Sequence, residues 1–160
     1  MESTLLFFLV GLSIFAAKYV AKNQPDGTRL LVFFASGTLA GGIVGLAAGS
    51  PFWPMVAIPR ISMAAVGGLA AIIIYGSEKA NLTNKPGIRY FATIFLGLVL
   101  AGLCYGFMRL YMTLAQLEFR TPSDKTVVIL VWVLVGFLTM FGYTFPERWF
   151  FPQKGRNETE

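Results

Sequence analysis

The chain has 160 residues, 56% of them hydrophobic and only 13% charged, with a net charge of +5. Soluble domains carry about 25% charged residues, so the composition points away from a soluble domain and towards a polytopic membrane protein. The absence of histidine and the single cysteine, Cys104, exclude an intrachain disulfide, His-ligated haem and Cys/His zinc sites. No metal, cofactor or catalytic residue is implied. The basic residues sit at the ends of apolar runs, which suits lipid headgroups better than nucleic acid.

The first apolar run spans about 4–21. Only Glu2 is charged before it, while Lys18 and Lys22 lie at its far end. A cleaved signal peptide would have a basic start, so a retained helix with its N-terminus outside is expected, with Lys18 snorkelling to the interface. Asn23 to Gly27 reads as a turn. A second helix is expected over about 28–50.

Pro51, Pro54 and Pro59 then forbid a regular helix. Phe52 and Trp53 suit an interfacial loop. The third helix spans about 61–77 and is rich in small residues. Glu78 to Arg89 reads as a polar loop. The fourth helix spans about 90–117, longer than a bilayer requires. Thr121 to Lys125 breaks the chain, and the fifth helix spans about 126–145, ended by Pro146. The remainder, from about 146, combines aromatic and basic residues as an interfacial tail.

The expected fold is therefore an all-α bundle of five transmembrane helices, one domain over 1–160. Four helices with 50–77 re-entrant is the second choice. Charge supports five: Arg60, Arg109, Arg120 and Lys125 fall on one side, and the other nine Lys and Arg on the opposite side. The positive-inside rule then places the N-terminus outside and the C-terminus in the cytoplasm.

Gly37, Gly41, Gly45 and Gly49 recur every four residues within one apolar run. Small residues at this spacing let another helix approach closely. Gly67 with Ala71, and Gly102 with Gly106, offer similar steps. These residues form the candidate helix-packing or oligomer seam, a glycine zipper in sequence terms.

No Asp or Glu falls inside the proposed spans, which disfavours ion-coupled transport. Arg60 and Arg109 are candidate contacts for an anionic headgroup or ligand, with Glu118 within reach of either. Tyr90, Phe91, Trp149, Phe150 and Phe151 map to one interface, and Phe52, Trp53 and Tyr111 to the other. Hydroxyls within the spans lack a base at helical spacing, and Cys104 suits packing better than nucleophilic chemistry.

The expected function is a non-catalytic subunit or scaffold of a larger or homo-oligomeric membrane assembly. Its partners are the bilayer and other membrane subunits or copies of itself. The alternative is a homo-oligomeric channel or membrane-perturbing effector built on the Gly37–Gly49 helix.

Overall fold

A computed structural model describes residues 2–52, 55, 58–82 and 86–150. The described residues form helices α1 (Glu2–Leu5), α2 (Phe7–Val20), α3 (Asp26–Ala48), α4 (Ser62–Lys79), α5 (Pro86–Leu114) and α6 (Asp124–Phe150). Leu6 joins α1 to α2 with helical dihedrals, φ −66° and ψ −16°. Together these two pieces act as one rod.

Among the described residues, three helices are long and apolar enough to cross a membrane: Asp26–Ala48, Gly87–Leu114 and Asp124–Pro146. They mark the chain as membrane-associated. Their lipid-compatible character shows in the surface, where Leu39, Ile43, Phe91, Phe95, Leu110 and Leu130 are all exposed. In water such a surface would be an aggregation hazard. α2 and α4 are shorter. At about 1.5 Å per residue, the 18 residues of α4 extend about 27 Å.

The helix ends follow local chemistry. Pro25 caps α3 and Asp26 occupies its first turn, where a fixed φ and a negative charge both suit a helix start. α4 is closed by Asn81, which lies two residues past its last helical residue and has φ +54°. Leu82 N–H donates to the Ser77 carbonyl and Asn81 N–H to that of Glu78, each within 3.0 Å. This is the paired closure of a left-handed helix end, which asparagine tolerates. Gln116 closes α5 in the same way.

Packing runs in the order α4, α3, α2, α6, α5, and α5 returns to α4 only lightly. The core is built from Phe7, Val10 and Ile14 of α2, Phe33 of α3, Ile74 of α4, Leu100 of α5 and Tyr143 of α6. Three seams bring backbones together. A Cβ at Gly37 would fall on the Gly67 carbonyl, and one at Gly41 on the Met63 carbonyl. Gly11 of α2 faces Thr139 and Gly142 of α6, and Gly97 of α5 faces Gly136 of α6. Glycine is required where carbonyls lie this close, because any side chain would displace backbone.

Several expectations need correction. α4 continues through Glu78 and Lys79, so a carboxylate lies inside the helix, past the expected end at about residue 77. Pro146 does not end the last helix, which continues to Phe150. Proline lacks only one donor and kinks a helix as readily as it breaks it. Phe52 is 0% exposed and packs against Trp132 in a tilted pair with ring centroids 4.2 Å apart. Its ring therefore fills the bundle end instead of lying at the interface. Gly49 stands just outside α3 with φ +83°, so it serves as a helix stop. Trp53, Pro54, Asn84, Lys85 and 151–160 lie outside the described residues, as do the side chains of Trp149 and Phe150. The interfacial tail falls largely on these positions.

Candidate functional site

The buried charge of the molecule gathers on Glu78. Its residue is 9% exposed, and four helices send a side chain to the same place. α2 brings Lys18, whose Nζ is 2.7 Å from Oε1. α3 brings Arg29, whose Nη2 donates to Oε2 at 2.8 Å. α6 brings Tyr143, whose hydroxyl donates to Oε1.

Each helix delivers its residue for a local reason. Lys18 lies in the last turn of α2, and Arg29 lies one turn into α3. Both are thus held where the chain turns at Asn23–Gly27. Glu78 lies in the last turn of α4, which the Asn81 closure holds in helical form. A carboxylate is disfavoured at the negative end of a helix dipole. Two cations drawn from neighbouring helices offset that effect and the desolvation of the carboxylate.

Aromatic rings shield the cluster. The Lys18 ammonium also lies 5.8 Å from the centroid of the Tyr143 ring, and the Arg29 guanidinium 5.9 Å from that of Phe33. Phe33 in turn meets Tyr75 edge-on, with centroids 5.7 Å apart. Nearer the surface, Tyr75 hydroxyl donates to the Asp26 carbonyl at 3.2 Å, and Lys79 reaches the Asp26 carboxylate at 3.3 Å. That last pair is exposed and contributes little. Arg29 Nε is buried with no hydrogen-bond partner among the described residues.

Both Glu78 oxygens are thus occupied by donors of the chain itself. The arrangement ties α2, α3, α4 and α6 at one end and holds them in register. Among the described residues no group of His, Cys, Asp or Glu could hold a metal ion.

The sequence-derived candidates scatter over other parts of the fold. Gly37 and Gly41 lie against α4 at Gly67 and Met63, and Gly45 lies against Met63 of α4 and the carbonyl of Arg60 just before it. Ala71 lies within the same seam, beside Gly37. Gly102 and Gly106 are exposed on α5, and a Cβ at either would meet nothing within 4 Å. Arg60 and Arg109 lie at the end of the bundle opposite Glu78. They are not brought together: Arg109 lies over the Phe119 ring, 5.5 Å from its centroid, and Arg60 precedes α4 beside Gly49. Glu118 stands with Arg109 around a separate hollow at the α5–α6 turn.

Several hydroxyls within the helices are engaged. Thr139 donates to the Val135 carbonyl and Thr144 to that of Met140, each one turn back. Ser13 and Ser36 meet across α2 and α3 with their oxygens 2.7 Å apart. Thr38 Oγ1 is buried and unpartnered among the described residues, close to Gly68.

No protein family, characterised protein or solved structure matches the chain. Its function must therefore be argued from its own chemistry.

Proposed function

We propose that the protein is a non-catalytic subunit or scaffold of a membrane assembly, built on five transmembrane spans. The observation that carries this reading is the open Gly102–Gly106 step on α5. The other close-approach glycines of α2, α3 and α6 are spent on seams within the chain, whereas this step has no intrachain partner. Exposed Leu98, Leu103 and Leu110 surround it. A small-residue step framed by leucines suits a further transmembrane helix. The engaged hydroxyls of Ser13, Ser36, Thr139 and Thr144 and the fully occupied Glu78 favour a structural role over a catalytic one.

The channel alternative needs the Gly37–Gly49 face. That face is occupied by α4, so pore formation would have to separate α3 from α4. The subunit reading requires no such opening.

Native mass of the detergent-purified protein tests the proposal. A defined homo-oligomer or co-purified membrane partner is expected, and Gly102→Leu/Gly106→Leu should release a folded monomer. A wild-type protein that is monomeric and partner-free in several mild detergents would remove the support for the subunit reading.

Five spans are favoured because α1 and α2 form one rod beside the longer helices and α4 lies along α3. The end bearing Lys18, Lys22, Arg29, Lys79 and Arg89 is assigned to the cytoplasm by the positive-inside rule. Cysteines introduced near Asn84 and Pro54 should label from opposite sides of the membrane. Labelling of both from one side would rule out five spans.

A further inference from the structure

We propose that the cleft between α4 and α5 holds one acyl chain of an anionic phospholipid, with the lipid phosphate at Arg60. The α4–α5 contact is much looser than the α3–α4, α2–α3, α2–α6 and α5–α6 contacts. It leaves a cavity of about 430 Å³, within the range of about 300–1,000 Å³ usual for small-ligand sites. Val66 and Leu69 of α4 form one wall, Cys104 and Met108 of α5 the other, and Trp132 of α6 lies at the cleft as well. Trp132 Nε1 donates to the Met108 sulfur at 3.3 Å, so the indole presents no free donor to the cavity.

The apolar walls away from Ser62 and Tyr111 offer water no partners, and an empty space of this size would forfeit dispersion contacts along both walls. The cleft opens sideways between two helices of a membrane bundle. On the five-span reading proposed above, hydrocarbon is the medium at its mouth.

The cleft is polarised along its length. Ser62 and Tyr111 supply hydroxyls to its lining, and both lie at the Arg60 end of the bundle. Ser62 opens α4 and Tyr111 lies in the last turn of α5. Arg60 stands in the chain between Ile58 and Ser62, both lining residues, and its Nε lies next to Gly49 at the end of α3. It is exposed, and its guanidinium makes no ion pair among the described residues. An apolar slot with hydroxyls and a cation at one end complements a lipid whose phosphate lies at the interface and whose chain points inward. The cation selects a net negative headgroup over a zwitterionic one. Arg109 takes no part, since it faces the α5–α6 turn.

Trp132 supplies a local reporter. Trp53→Phe/Trp149→Phe leaves it as the sole tryptophan of the three. The protein is reconstituted in vesicles of phosphatidylcholine and phosphatidylglycerol, with bromine on the acyl chains of one lipid at a time. Brominated phosphatidylglycerol should quench Trp132 several-fold more strongly than brominated phosphatidylcholine at equal mole fraction. Arg60→Gln should abolish that preference, and Leu69→Phe, which fills the slot, should reduce quenching by both lipids. Equal quenching by the two lipids, or a preference unchanged by Arg60→Gln, would overturn the proposal.

A second measurement uses the unmodified chain. Native mass spectrometry should show one phosphatidylglycerol retained at a several-fold lower lipid concentration than phosphatidylcholine. Equal retention would overturn the headgroup assignment without reference to any tryptophan variant.

Discussion

Glu78→Gln is expected to lower stability by about 3 kcal/mol, the scale for removing one partner from a buried ion pair. The substitution preserves the shape of the side chain and removes its charge. Lys18 and Arg29 then face each other across a site whose carboxylate had held them together, with side chains only 19% and 30% exposed. Their long stems allow some retreat to the interface, which places the effect near the lower end of that scale. Thermal unfolding in detergent reads it directly. Asp26→Asn, which breaks the exposed pair with Lys79, should shift stability by less than about 1 kcal/mol. The triple substitution Lys18→Met/Arg29→Met/Glu78→Leu should recover most of the loss, because an apolar replacement of a buried charge cluster removes its desolvation penalty along with its attraction. An unchanged unfolding midpoint for Glu78→Gln would show that the cluster does not hold the four helices.

The apolar runs made the helices legible, since about 18–20 consecutive apolar residues are a strong signal. Their ends were less so. By hydropathy the third helix stops at Ser77, because Glu78 and Lys79 look like the start of a polar loop. The stop lies further on, where Asn81 takes the left-handed conformation and closes the last turn. Asparagine in that position is a readable sign. Combined with Lys18 and Arg29 near the ends of the two preceding helices, it could have flagged a shared carboxylate. What hydropathy cannot supply is lateral order. Nothing in the runs indicates that α2 lies beside α6 or that Tyr143 reaches Glu78 across 65 positions of sequence.

The glycine spacing posed a different problem. Four-residue periodicity shows that a close partner is suited, and is silent on which partner. Gly41 and Gly102 look alike in sequence, yet one meets the backbone of α4 and the other meets nothing within the chain. Phe52 shows the same limit. An aromatic residue between prolines suits an interface, and its burial depends on Trp132, eighty residues away.

Gly41→Leu is expected to destabilise by more than about 3 kcal/mol, beyond the usual range for overpacking. Overpacking strain is modest where a flexible side chain can yield, and here the first added atom would fall on the Met63 carbonyl, with the Gly67 backbone at 3.1 Å. Separation of α3 from α4 is the available response. That would also displace Arg29 from Glu78, so the helix seam and the charge cluster should fail together. Even Gly41→Ala should be harmful, because the clash arises at Cβ. Gly102→Ala provides the contrast. Its Cβ would meet nothing within 4 Å, and alanine improves helix propensity by up to about 1 kcal/mol. Unfolding midpoints of the two alanine variants should therefore move in opposite directions, or Gly102→Ala should leave its midpoint unchanged. Equal losses at the two positions would show that the α3–α4 contact is not the tight seam of this fold.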